Sequence, residues 1–205
     1  MGSLMTTEVR RTAPAAERNK DPILAVLARV LPVSGLALEI ASGTGQHVVH
    51  FAKALPEWTW QPTEIEPQWR RSIAAWVEET GLPNILPPLA LDVCEPHWPV
   101  ERADAVLCIN MVHISPWRAT ECLIAGCERL LEPGGILFLY GPYRRFGRHT
   151  APSNEAFDAS LRERDPQWGV RDLEIVAETA ERHGFGLSEV VEMPANNLSV
   201  ILTRR

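Results

Sequence analysis

Short apolar runs alternate with segments of helical period along nearly the whole chain, the pattern of a mostly parallel sheet covered on both faces by helices. The run Gly35-Leu36-Ala37-Leu38-Glu39-Ile40 reads as a buried first strand. Residues 58–63, 84–91, 104–109 and 136–140 read as the next four strands. Helices are predicted over 22–30, 46–55 and 67–80, and again from Ser115-Pro116 to Leu131. Asp21 stands as N-cap of the first with Pro22 at its first helical position, and Gly81 closes the third as a left-handed residue. A further helix should run from Asp172 to His183, closed by Gly184. Two final strand runs, 187–193 and 198–203, are joined by Pro194-Ala195-Asn196-Asn197, too short for a crossover helix, so they should pair antiparallel. The expected fold is α/β and Rossmann-like: a seven-stranded, mostly parallel sheet with a terminal antiparallel hairpin. Residues 1–14 are expected to be a flexible N-terminus and 15–205 a single domain, with a polar, weakly periodic insert over 141–170 as a lid.

The totals narrow the class of function. The chain has 205 residues, 45% hydrophobic and 22% charged, the balance of an ordinary globular domain. A net charge of −6 argues against a nucleic-acid partner, which would call for a basic face. No apolar stretch approaches the ~18 residues of a membrane span, and residues 1–14 lack the apolar core of a signal peptide. The segment Met1-Gly2-Ser3 also reads as an added leader before a native start at Met5. Cys94, Cys108, Cys122 and Cys127 form no CxxC pair and have no histidine at metal-ligand spacing, so they are expected to be reduced thiols, no metal is expected, and the compartment is expected to be the cytoplasm.

The strongest chemical signal is Glu39-Ile40-Ala41-Ser42-Gly43-Thr44-Gly45-Gln46-His47. A glycine turn between a buried strand and a helix lets a ligand approach the backbone. Glu64 stands at the end of the second strand, where a carboxylate can accept both ribose hydroxyls of an adenosine ligand; Glu66 competes for that role. Val48 replaces the third glycine of a dinucleotide fingerprint, and Glu39 would repel a pyrophosphate. Against an adenosine carrying a methionine, Glu39 can instead order the turn or meet the ammonium. Asp92, with Val93 against the ring, could take the adenine amino group or merely cap its own turn. Asn110 and His113 follow the fourth strand, at the edge where such sheets bind ligands; Asn110 is read as cofactor-facing and His113 as substrate-facing, a satisfied structural histidine being the alternative.

These strings resemble class I S-adenosylmethionine-dependent methyltransferases, with Glu39 to Gly45 as their first motif and Leu131-Glu132-Pro133-Gly134-Gly135 at a later one. From about Ala15 to Arg205 the chain more closely resembles the methyltransferase-like protein 26 family, filed as domain of unknown function 938. The resemblance rests on Ala16 to Leu24, Trp60 to Glu64, Asn110 to Trp117, Tyr140 to Tyr143, Ser153 to Asp158, Trp168 to Asp172 and Pro194 to Leu198. The family often has aspartate where Glu64 stands, so the ribose contact here reaches one methylene further.

The resemblance implies a methyltransferase-type sheet and S-adenosylmethionine as cofactor, with Glu39, Ala41, Ser42, Gly43, Thr44, Gly45, His47, Glu64, Asp92, Val93 and Asn110 as its contacts. The acceptor is expected to be a small molecule. His113, Tyr140 and Tyr143 are the catalytic candidates, the two tyrosines with core packing as their alternative. Arg18, Asn19, Arg144 and Asn154 are the substrate-binding candidates. The run Tyr143-Arg144-Arg145-Phe146-Gly147-Arg148-His149 is either a solvated loop or a receptor for an anionic acceptor. Two other functions stay open: a non-catalytic protein that binds S-adenosylmethionine, and a nicotinamide-dependent oxidoreductase. Oligomeric state is not legible.

Overall fold

The computed structural model describes residues 9–205, so the expected leader Met1-Gly2-Ser3 lies outside the described residues. Six strands are hydrogen-bonded in a mixed sheet: β1 (Gly35–Ile40), β2 (Trp58–Pro62), β3 (Ala103–Ile109), β4 (Leu131–Gly141), β8 (Phe185–Met193) and β9 (Asn197–Arg204), in the order β2-β1-β3-β4-β9-β8. The seventh expected strand, 84–91, survives only as isolated parallel bridges, Trp60 to Ile85 and Thr63 to Leu89. Its ladder starts normally, with Trp60 N donating to Asn84 O and Leu86 N to Trp60 O, both at 2.8 Å, and resumes at Leu89 N to Pro62 O (3.1 Å). Pro87 and Pro88 have no N–H to donate, so the ladder breaks between those points. Along the chain the described residues divide after Ala105 into two compact units.

In the first unit, helix α1 (Pro14–Val30) buries Ala16, Asn19, Ile23, Val26 and Leu27 along one face. It begins at Pro14 rather than Pro22, which sits inside it; the proline suited to a first helical turn is the one eight residues earlier. Residues 10–13, expected to be loose, are held. Arg11 N donates to Ser72 Oγ (2.9 Å) and Ala13 N to Gln46 Oε1 (2.5 Å). The Arg10 and Arg11 guanidinium groups lie over the Trp76 and Trp69 rings. β1 pairs in parallel with β2, from Gly35 opposite Trp58 to Glu39 opposite Pro62. Helices α2 (Gln46–Ala54) and α3 (Pro67–Thr80) flank them, and Phe51, Trp58 and Trp60 are buried together, with ring centroids 5.7 and 6.4 Å apart. Cys94 is disulfide-bonded, not reduced.

In the second unit, α4 (Trp117–Leu130) precedes β4, which pairs antiparallel with β9; β9 in turn pairs antiparallel with β8. The segment after β4 carries a small sheet of β5 (Tyr143–Arg145), β6 (Arg148–His149) and β7 (Arg171–Asp172), with α5 (Pro152–Arg164) between β6 and β7. Phe146 and Gly147 turn the hairpin with positive φ at both positions, the geometry that matches the twist of two short strands. Helix α6 (Leu173–Arg182) starts after Asp172, but that side chain does not cap it; Asp172 Oδ2 accepts from Gly147 N at 2.5 Å. Cys122 is disulfide-bonded, so the reduced reading fails there too, whereas Cys108 and Cys127 are buried free thiols. Among the described residues no helix is long and apolar enough to cross a membrane.

The chain turns left-handed at Gly43 (φ 55°) and Gly45 (φ 93°), and the space around them differs. A Cβ on Gly45 would sit 2.9 Å from Ile73 Cα; one on Gly43 would meet only Ala41 O, at 4.0 Å. Gly45→Ala should therefore destabilise by ~2–4 kcal/mol, combining backbone strain with overpacking against α3. Gly43→Ala should cost ~1–2 kcal/mol from strain alone. Thermal unfolding of the two variants checks the ranking.

Candidate functional site

The end of β1 and the turn after it are held by a dense set of short bonds. Thr63 N and Oγ1 donate to Glu39 O at 2.9 and 2.8 Å, and Ser42 N donates to Thr63 O at 2.8 Å. Ser42 Oγ donates to Glu39 O at 3.3 Å. These bonds keep Ala41 at φ 53°, a left-handed position that costs a residue with a Cβ roughly 1–2 kcal/mol. Glu64 is buried beside the turn: its Oε2 accepts from Gly43 N at 3.0 Å and its Oε1 from Ile65 N at 2.9 Å. Glu66, the competitor, is exposed, and its carbonyl accepts the first amides of α3 from Trp69 and Arg70. Only Glu64 reaches the glycine turn. Thr44 Oγ1 donates to Gln46 Oε1 (2.9 Å), and Thr44 O accepts from Ser72 Oγ (2.8 Å).

Glu39 is the unusual group. It is 1% exposed, and its Oε2 has no hydrogen-bond partner among the described residues. Burial pushes its carboxyl up to about 8, the Ser42 hydrogen bond opposing and the Glu64 charge adding to the rise. At neutral pH it carries its proton, and the turn that follows it in the chain is open at Gly43. A buried carboxyl oxygen without a partner is a costly feature for a fold to keep, and a cationic ligand group would supply what it lacks.

The remaining candidates of this unit separate into two kinds. His47 is kept neutral, its ring pushed down to about 4 by burial and by the His50 and Lys20 charges. Its Nε2 meets Asn19 Oδ1 at 2.7 Å, and its ring stacks on Phe51, so His47 and Asn19 fasten α1 to α2. Arg18 is exposed on α1. Asp92 is exposed and its Oδ1 accepts from Cys94 N at 2.9 Å, the turn-capping arrangement, while Val93 is buried. Gln46, not anticipated, joins Ala13, Glu17 and Thr44 at one amide.

In the second unit Asn110 (φ 66°) ends β3, and its carbonyl accepts from His113 N at 3.1 Å. His113 is fully buried and packs edge-on against Tyr143, with ring centroids 5.0 Å apart. Neither nitrogen of His113 nor the Tyr143 hydroxyl has a partner among the described residues. Burial, with the Arg171 charge, pushes the imidazole down to about 3, and burial pushes the Tyr143 hydroxyl up. Arg171, missed from the sequence, holds the segment in place: it donates to Val112 O (3.1 Å), Ser115 O (2.6 Å) and Gln167 O (2.9 Å). Its signal was the string Trp168 to Asp172, whose chemistry is visible only once folded. Tyr140 is buried in β4 opposite Ser199 of β9. Asn154 is buried too; its amide nitrogen donates to Thr150 Oγ1 (3.0 Å) and Asn196 O (2.9 Å), which ties α5 to the β8–β9 turn. Arg144 is half-buried on β5. Among the described residues no cluster of three or more His, Cys, Asp or Glu is placed to hold a metal.

Residues 10–204 match a family described as "Protein of unknown function (DUF938)". Solved structures share the fold at low identity. An O-methyltransferase family protein from Burkholderia thailandensis superposes with a TM-score of 0.80 at 17% identity, covering 93% of this chain and 57% of that one. Human N-acetylserotonin methyltransferase, solved in complex with SAM (S-adenosylmethionine), gives 0.77 at 12%, covering 93% and 52%. An O-methyltransferase family 2 protein from Planctomyces limnophilus, in complex with apigenin, gives 0.74 at 18%, covering 100% and 66%. The chain thus spans between about half and two thirds of these proteins and has the class I methyltransferase-like fold.

Because the folded carboxyl of Glu39 titrates above its unfolded value of 4.5, stability is full below that value and is lost as pH rises towards about 8. Glu39→Gln removes the loss: its melting temperature should fall less than that of the parent between pH 5 and pH 9. At ~1.4 kcal/mol per unit, the difference should reach the order of a few kcal/mol.

Proposed function

The chain belongs to the DUF938 family, whose description names no activity, and from that premise we propose that it transfers a methyl group from S-adenosylmethionine to a small molecule. The observation that carries this reading is the buried Glu39 carboxyl with its unpartnered Oε2 at the end of β1, leading into a turn that is open at Gly43 and held by the Glu64 carboxylate. A pyrophosphate at this turn would be repelled by the Glu64 carboxylate, and the protonated Glu39 would give it no positive partner. An ammonium would be attracted by Glu39, and ribose hydroxyls can donate to the free lone pairs of Glu64. Asp92 keeps Oδ2 for an exocyclic amine, with Val93 as an apolar neighbour. The residues therefore fit the cofactor. When bound, its sulfonium supplies an electrophilic methyl carbon and a neutral thioether leaving group.

The chain's own task is to position groups and handle one proton. The neutral imidazole of His113 is in the form that accepts a proton, and Tyr143 fixes the ring edge-on. An acceptor that brings negative charge near the ring would raise its basicity into a useful range. Without one, an imidazole held at about 3 is a weak base. That observation favours the second reading, a protein that binds the cofactor without turnover.

Calorimetry should detect binding of S-adenosylmethionine and S-adenosylhomocysteine but not of NAD. At a hundredfold the dissociation constant each should stabilise by ~2.7 kcal/mol. Glu64→Gln should weaken both by about tenfold or more, the loss of a charged hydrogen-bond acceptor. Because Glu39 is protonated when free, binding at pH 7 should release a proton that the Glu39→Gln variant does not release. Absence of binding by either nucleoside would sink the reading.

Conversion to S-adenosylhomocysteine in a metabolite extract separates the enzyme from the binding protein. His113→Asn should lower that turnover by roughly 10²–10⁴-fold while cofactor affinity stays within about twofold.

A further inference from the structure

Strand β5 sends its side chains to two faces. Tyr143 goes to His113, and Arg145 on the same side pairs with Glu174 at 2.8 Å. Arg144 points the other way, directly across the hairpin from His149. Arg144 Nε and His149 Nδ1 are both buried without a partner among the described residues. On two residues paired across the hairpin, a guanidinium donor and a ring nitrogen are thus both left without a partner.

The charges around them make the missing partner an anion. His149 Nε2 lies 3.5 Å from Asp158 Oδ2. Arg162 Nε donates to the same oxygen at 3.1 Å, and Val170 N donates to Oδ1 at 2.7 Å. Burial opposes ionisation of Asp158, but the Arg162 and Val170 hydrogen bonds and the nearby positive charges hold its carboxyl below the usual range. The Arg171 guanidinium is depressed by burial and by the charges of Arg162 and Arg144, so all three guanidinium groups act on one locale. Asp172 stands beside Arg144 on β7, but it accepts from Gly147 N, and burial and the neighbouring Glu174 push its carboxyl up. Arg162 thus pairs with Asp158, Arg171 is spent on backbone carbonyls, and Arg144 Nε keeps no acceptor among the described residues. The locale is reachable from solvent: the side chains of His149 and Arg162 are 20% and 46% exposed.

We infer that Arg144 and His149 form a receptor for a single oxyanion group, a carboxylate or a phosphate, carried by the acceptor. The inference deepens the methyl-transfer reading and rests on it for the word acceptor. Arg144 donates from Nε, and the His149 ring presents Nδ1 to the anion with its Nε2 towards Asp158. Asp158 is the positioning residue: it orients the His149 ring as the carboxylate of a carboxylate–histidine pair does. The anion completes the charge balance that the protein leaves open.

The test uses the full chain and two probes, inorganic phosphate and benzoate, titrated at constant ionic strength against chloride. The readouts are the His149 ring resonances and the melting temperature. One probe or both should bind saturably, the tighter one naming the group the acceptor carries. Arg144→Gln and His149→Gln should each weaken binding at least tenfold, about 1.4 kcal/mol. Arg148→Gln, which removes an exposed charge from the same hairpin, should stay within twofold. Arg144→Lys and His149→Asn keep the test open if a glutamine variant fails to fold. Equal affinity in all variants, or a response that chloride reproduces, overturns the site. S-adenosylmethionine calorimetry run in parallel tells the two readings apart: anion binding without cofactor binding leaves the receptor standing and removes methyl transfer.

Discussion

The first unit is organised around one carboxylate contact, Glu64 Oε2 accepting from Gly43 N at 3.0 Å. That bond joins the end of β2 to the turn after β1, and the bonds from Ser42 and Thr63 lock the two strand ends together. The left-handed backbone at Ala41 is a consequence, since the surrounding bonds over-determine it. So is the path of α2, which can start beneath α3 only because Gly45 carries no Cβ to meet Ile73. The turn is rigid before any ligand arrives, and a preformed site loses less freedom on binding.

A rigid turn also explains how Glu39 can remain buried with an oxygen unpaired. The nearby amides of Ser42, Gly43 and Thr63 already donate elsewhere, which leaves Glu39 Oε2 without a protein donor. The fold therefore holds a carboxyl poised to ionise when a cation comes near. The second unit repeats this logic with different chemistry. His113 and Tyr143 are buried with unpartnered polar atoms, and Arg171 clamps the carbonyls on either side of the histidine. Around Arg144 and His149 the imbalance is of charge rather than hydrogen bonding alone.

Several departures from the expected structure trace to particular residues. The third strand is lost to Pro87 and Pro88, the first helix begins at Pro14 rather than Pro22, and Asp172 turns to Gly147 instead of capping its helix. The first two follow from proline's missing N–H and its fitness for a first helical turn, and the third from a partner 25 residues away in sequence. Asn154 and His47, read as ligand contacts, are held by protein partners that no local pattern reveals. Cys94 and Cys122 are disulfide-bonded because of where folding brings them, not because of any spacing.

What the sequence determined by itself was the alternation of elements, the glycine turn and the acidic residues at the strand ends. Those follow from hydrophobic period and from the stereochemistry of glycine and proline, which act over a few residues. The tertiary structure set Glu64 rather than Glu66 against the Gly43 amide, gave Gly43 and Gly45 different surroundings, and set His149 against Arg144 and Asp158. Burial, orphaned polar atoms and the sign of a local field are sums over neighbours brought together from across a unit, and no stretch of chain contains them.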